Sequence, residues 1–142
     1  MTTVPPVSLS PGGQGPDAPR GDMITRTLAM PADANPIGGI FGGWVLGQMD
    51  VAGGIAAAFR ARGRVATIGV TSMTFHKPVR VGDVVSCYCE VERVGTTSVT
   101  VHIEVWVLRA SGGTARHIKV TEGAFTYVAL DDQGQKRPVP RV

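Results

Sequence analysis

The sequence predicts an α+β fold, with an antiparallel β-sheet wrapped around one long central helix. Three observations predict it. Apolar residues alternate at a period of two along the stretches that follow residue 64. A glycine- and alanine-rich stretch before them, Trp44 to Arg60, is apolar nearly all the way round. The turns between the later stretches are short and rich in Gly, Pro, Ser and Asp. Strand, helix, then four strands with tight turns is the order of an α+β domain.

The elements follow in sequence. Residues 1–21 interleave Pro5, Pro6, Pro11, Pro16 and Pro19 with Gly12, Gly13, Gly15 and Gly21. They bury too little apolar surface to offset ordering entropy, so a disordered tail is expected before a domain over residues 22–142. Met23 to Met30 reads as the first strand, halted by Pro31. A loop of turn formers, Ala32 to Gly43, opens onto the helix. Only Gln48 and Asp50 are polar in that helix before Arg60, and Arg60, Arg62, Gly63 and Arg64 end it. A helix apolar on every side is expected to be buried. Val65 to Phe75, Val84 to Val94, Ser98 to Leu108 and Lys119 to Leu130 read as the remaining strands. On the fourth, Val99, Val101, Ile103, Val105 and Val107 face one way; Thr100, His102, Glu104 and Trp106 form a polar face expected at the surface.

Composition narrows the function classes. Charged residues are 18%, against roughly 25% in ordinary soluble domains. The net charge of +3 suits a small polyanionic ligand, and no Lys/Arg-rich run supports nucleic-acid binding. No stretch is long and apolar enough to span a bilayer, so no membrane partner is expected. No basic segment followed by an apolar run marks a secretory signal. Cys87 and Cys89 would share one face of a strand but lie too far apart along it for a relaxed disulfide. A reducing, cytoplasmic setting follows.

The reactive groups are few. Asp50 is the only carboxylate between Asp33 and Asp83, and it lies in the most apolar helix. Burial of such a group raises its pKa and suits acid–base work. A structural Asp bonded to backbone or to a second subunit is an equal reading. Gly42 and Gly43 begin the helix, where amides lack intrahelical partners and the dipole favours an oxyanion; a plain glycine turn is the simpler reading. No His/Cys metal spacing occurs, so no metal is expected. Neither Ser72 nor Ser98 lies in a nucleophile elbow. Gly53, Gly54 and Ala56 leave room along the helix for a tunnel.

Several spaced motifs bring a family into view. They are Phe41-Gly42-Gly43-Trp44, Gln48-Met49-Asp50, Ser72-Met73-Thr74-Phe75-His76-Lys77-Pro78-Val79, Gly82-Asp83-Val84-Val85, Glu104-Val105-Trp106-Val107, Phe125-Thr126-Tyr127-Val128-Ala129 and Arg137-Pro138-Val139-Pro140. In this order, from about Arg26 to Arg141, they resemble the hotdog-fold acyl-CoA thioesterases of the YciA-like type. The resemblance implies a hotdog fold, paired subunits sharing a continuous sheet, and a hexamer built as a trimer of dimers. It implies hydrolysis of acyl-coenzyme A, with no cofactor beyond the coenzyme A of the substrate. Asp50 matches a helix aspartate that is catalytic in two-domain relatives. Gly42 and Gly43 would polarise the thioester carbonyl, and Asn35 would position water. Gly39, Phe41, Trp44, Ser72, Met73, Phe75, Lys77, Arg80 and Arg137 would contact substrate. Arg64, Lys136 and Arg141 are further candidates for the nucleotide phosphates.

The family carries a catalytic acid or amide where this chain has Gly39, and Ile37 replaces a preceding Asn. The alternative is therefore a non-catalytic acyl-CoA-binding protein. Enoyl-CoA hydration would want an Asp/His pair at the helix entrance, and no histidine precedes His76.

Overall fold

The computed structural model describes residues 18–141. Most of the tail expected over residues 1–21 lies outside the described residues. Its last part is anchored to the domain, because the Arg20 guanidinium donates to Glu90 at 3.0 Å. Five strands and one long helix follow. They are β1 (Asp22–Leu28), α1 (Gly42–Ala61), β2 (Val65–Phe75), β3 (Val84–Val94), β4 (Ser98–Ser111) and β5 (Thr114–Ala129). The sheet order is β1-β3-β4-β5-β2, and every neighbouring pair is antiparallel. This is the α+β architecture expected.

The last hairpin is longer than its alternation suggests. Gly112 and Gly113, both at positive φ, make a two-residue turn. Pairing continues out to Ser111 and Thr114. Polar residues there pair through their backbones, which the hydrophobic pattern does not report.

The helix differs from expectation in one respect. Val45, Met49, Ala52, Gly53, Ala57 and Ala61 are buried against the sheet. The opposite side is not: Val51 is 57% and Phe59 81% exposed, beside exposed Ile68 and Val70 of β2. A single five-stranded sheet curls over one side of the helix only. The described residues leave this apolar side uncovered, the kind of patch that marks an interaction surface.

Gly53 shows how closely helix and sheet approach. A Cβ there would collide with the Tyr127 hydroxyl and with Ile103. The space read from the sequence as a tunnel is, at Gly53, filled by Tyr127.

The polar face of β4 is also not at the surface. Thr100, His102, Glu104 and Trp106 are all buried. The reason is position: β4 is the central strand, flanked by β3 and β5. Glu104 accepts from Trp106 Nε1 at 3.0 Å and pairs with His102 Nε2 at 3.1 Å. Lys119 Nζ lies 2.8 Å from Glu122 and 3.5 Å from Glu104. His102, Glu104 and Glu122 form a cluster with metal-ligating atoms, and the Lys119 ammonium supplies the positive charge among them. Its hydrogen bond holds the Glu122 carboxyl below its usual range.

Asp83 fixes the floor beneath the helix entrance. It is buried, and its carboxylate accepts two bonds from Arg109, at 2.9 and 2.8 Å. It also accepts the Arg80 amide at 2.9 Å, closing the turn that Gly82 makes at φ 92°. Arg80 in turn bridges to Gly39. Removing one partner of a buried ion pair costs about 3 kcal/mol. Asp83→Ala is therefore expected to lower the thermal midpoint by on the order of 10 °C. A scanning fluorimetry midpoint within 2–3 °C of wild type, roughly one kcal/mol by the same scale, would contradict this.

Candidate active site

Two concavities hold some of the candidate residues: Gly42, Phe75 and Lys77 line the first, Asp50 and Arg64 the second. The first is a cleft of about 290 Å³ lined by Ile40, Gly42, Val45, Phe75, His76, Lys77, Pro78, Val79 and Thr121. It sits at the start of α1, where the first amides have no intrahelical acceptor. Phe41 caps the helix in an extended conformation, and the amides of Trp44 and Val45 donate to its carbonyl at 3.1 and 3.3 Å. A Cβ on Gly42 would touch the Phe75 ring at 3.7 Å. Glycine thus keeps the helix end open while β2 stays close.

The entrance loop is held by Asn35. Its side-chain oxygen accepts the amides of Ile37 at 3.0 Å and Gly39 at 3.1 Å. The Asn35 amide donates to the Gly39 carbonyl at 2.6 Å. Asn35 is engaged in shaping the loop that carries Gly39. The Ile40 amide then donates to Val79 at 3.0 Å, tying the loop to the cleft wall.

The second concavity, about 420 Å³, is lined by Asp50, Val51, Gly54, Ile55, Ala58, Arg64, Val65, Thr67 and Tyr127. Asp50 is half-buried here rather than enclosed in the core. The reason is that it projects from the uncovered side of the helix. Thr67 donates to Asp50 Oδ1 at 2.6 Å, and the Tyr127 hydroxyl donates to the same oxygen at 3.1 Å. Burial, then the charge of Asp50, pushes the Tyr127 phenol upward, so it stays protonated as a donor. These bonds fix the carboxylate, through Oδ1, at the wall of a hollow that Arg64 also lines.

The other candidates scatter. Phe41 is exposed at the helix cap, and Trp44 packs against the core. Lys77 lines the first cleft, and Arg80 lies exposed beside Gly39. Ser72 is an exposed β2 residue at positive φ, inside a register shift against β5. Met73 packs beneath it against Gly123. Arg137 lies elsewhere. Its guanidinium donates to Ala61 and Leu130 carbonyls, both at 2.8 Å, and so ties down the C-terminal end of α1. A 20-residue helix is about 30 Å long, so one chain does not bring Arg137 to Gly42. Arg141 donates to Gly95 at 2.7 Å.

Thr67, Tyr127 and Thr121 escaped the sequence reading. Tyr127 and Thr121 sit inside an alternating strand and look like core. Thr67 carries no local signal, since its pairing with Asp50 bridges 17 residues.

The cysteines are free and buried. Burial pushes the Cys87 thiol up to about 11 and Cys89 up to about 12, the latter aided by Cys87 and Asp22. Such thiols are inert.

Comparison with known proteins points one way. The thioesterase superfamily profile matches residues 37–110. The acyl-CoA thioester hydrolase YciA of Escherichia coli K12 is 52% identical over 125 residues, 87% of this chain and 95% of that protein. A hexameric thioesterase of Yersinia pestis superposes with a TM-score of 0.80 at 52% identity, covering 86% of this chain and 98% of that one. An acyl-CoA hydrolase of Staphylococcus aureus, solved with butyryl coenzyme A and coenzyme A, has a TM-score of 0.74 at 28% identity. It covers 82% of this chain and 70% of that one.

Proposed function

This chain belongs to the thioesterase superfamily, with the hotdog fold, and on that footing we propose that it hydrolyses acyl-coenzyme A to a carboxylic acid and free coenzyme A. One observation carries the mechanism: a single carboxylate, Asp50, is fixed by Thr67 and Tyr127 in a hollow that Arg64 also lines. The relatives are named as hydrolases, which does not favour the non-catalytic binder that Gly39 raised.

The thioester carbonyl docks at the amides of Gly42 and Gly43, where the helix dipole favours developing negative charge. Asp50 orients a water and takes its proton. A rise of about 1.5 Å per residue puts Asp50 roughly 12 Å along the axis from Gly42. One carbonyl cannot meet both within a single chain. The active site therefore joins the cleft of one subunit to the partner's Asp50, and the uncovered apolar side of α1 is where the two subunits meet. The Yersinia pestis relative is hexameric, and three such dimers would build a hexamer here. Lys77 and Arg80 flank the cleft and suit the phosphates of coenzyme A, with Phe75 and Val79 against the acyl end. No cofactor takes part. The free, buried cysteines fit a cytoplasmic setting; no described helix is long and apolar enough to cross a membrane.

The direct test is release of free thiol from an acyl-CoA chain-length panel. Background rates with every ester would sink the proposal. Subunit pairing is tested at Phe59. A charge on this exposed apolar side is expected to split the assembly, so Phe59→Arg should elute as a smaller species and lose thiol release together. A Phe59→Arg protein of wild-type size and rate would refute the shared site.

A further inference from the structure

We propose that the Thr121 hydroxyl donates a hydrogen bond to the thioester oxygen as hydrolysis turns it into an oxyanion, across the cleft from the amides that open α1. The inference rests on the acyl-CoA hydrolase reading above. Thr121 pairs with Val105 on β5 and lines the cleft that Gly42 also lines. The register shifts at this point, leaving Val120 bulged between Thr121 and Lys119. The Val120 carbonyl accepts the amides of His76 at 2.7 Å and Lys77 at 3.2 Å. The bulge thus closes one wall of the cleft and fixes Thr121 within it.

Thr121 is 1% exposed, and its Oγ1 has no hydrogen-bond partner among the described residues. A buried unpaired hydroxyl opposes folding. Valine would fill the same space without that cost, so the hydroxyl has work that folding does not explain. The other buried walls, Ile40, Val45 and Val79, are apolar. A donor in such surroundings acts strongly on developing charge.

The step balances without a proton from Thr121. Water oxygen bonds to the carbonyl carbon, and its proton passes to Asp50. The carbonyl π pair moves to oxygen, where Thr121 O–H and the backbone N–H groups donate. Collapse restores C=O and breaks C–S. The sulfur leaves with that electron pair and takes up the proton.

Thr121→Val and Thr121→Ser test this with butyryl-CoA. In Thr121→Val, kcat is expected to fall by about 10²-fold or more with KM little changed. Its thermal midpoint should equal or exceed that of wild type, because an unpaired buried group is gone. Thr121→Ser keeps the donor and should retain kcat within a few-fold. Wild-type kcat in Thr121→Val would overturn the inference. So would a loss confined to KM, or a midpoint well below wild type, which would show the hydroxyl supporting the fold. A wild type inactive on every acyl-CoA would remove the hydrolase reading and this inference with it; an active wild type matched by Thr121→Val removes only the inference.

Discussion

Asp50→Asn is expected to lower kcat for acyl-CoA hydrolysis by about 10²- to 10⁴-fold, the usual contribution of a positioned base. The variant keeps the shape of the side chain and an oxygen for the Thr67 and Tyr127 hydroxyls. It loses the charge and the capacity to take a proton from water. The fold should survive, because Asp50 is half-buried on the uncovered side of α1 and belongs to no buried ion pair among the described residues. Thiol release and the thermal midpoint measured together separate the two effects. A rate within a few-fold of wild type would show that Asp50 only braces Tyr127 against the helix. A single turnover in heavy-oxygen water distinguishes base from nucleophile. Direct attack by water puts one heavy oxygen into the released acid at once, whereas an anhydride opened at the Asp50 carbonyl releases an unlabelled acid in the first turnover and leaves the heavy oxygen on Asp50.

The same residue shows what a sequence discloses and what it hides. Asp50 stood out because a lone acid in an apolar helix is conspicuous in one dimension. Its surroundings were misjudged, because apolar sequence on all sides implies burial but does not say by what. Among the described residues one side of the helix is left uncovered, as exposed Val51 and Phe59 show. β2 and β3 were found at their predicted bounds, since alternation is a local signal that two-residue sidedness imposes. His102 and Glu104 were placed at the surface by the same signal and are buried, because alternation cannot tell a central strand from an edge one. Thr67, Tyr127 and Thr121 were silent for a related reason: their roles depend on partners from distant elements. The glycines divide likewise. Gly42 keeps an open helix end and was legible. Gly53 was read as empty space, while in the structure it is the contact with Tyr127.

Gly39→Asp is expected to raise kcat by about 10²-fold, the lower end of what a positioned acid–base group contributes. The resemblance places a catalytic acid or amide at this position, and the local structure has room for one. Gly39 does not occupy the left-handed region, and an added Cβ would meet only the Asn35 side chain, at 3.5 and 4.0 Å. Those are ordinary van der Waals distances. The bridge to Arg80 and the amide bond to Asn35 use backbone atoms, so a side chain leaves them intact. Arg80 adds a nearby positive charge that favours the ionised carboxylate. Gly39→Ala, which adds the Cβ alone, should leave the rate near that of wild type and so isolates the carboxylate. If Gly39→Asp folds but is no faster than Gly39→Ala, the entrance loop does not face the thioester. Catalysis would then rest on the partner's Asp50 and the helix amides alone. If it is faster, the present chain is a working thioesterase that runs below the rate its own scaffold allows, because one position at the entrance carries no side chain.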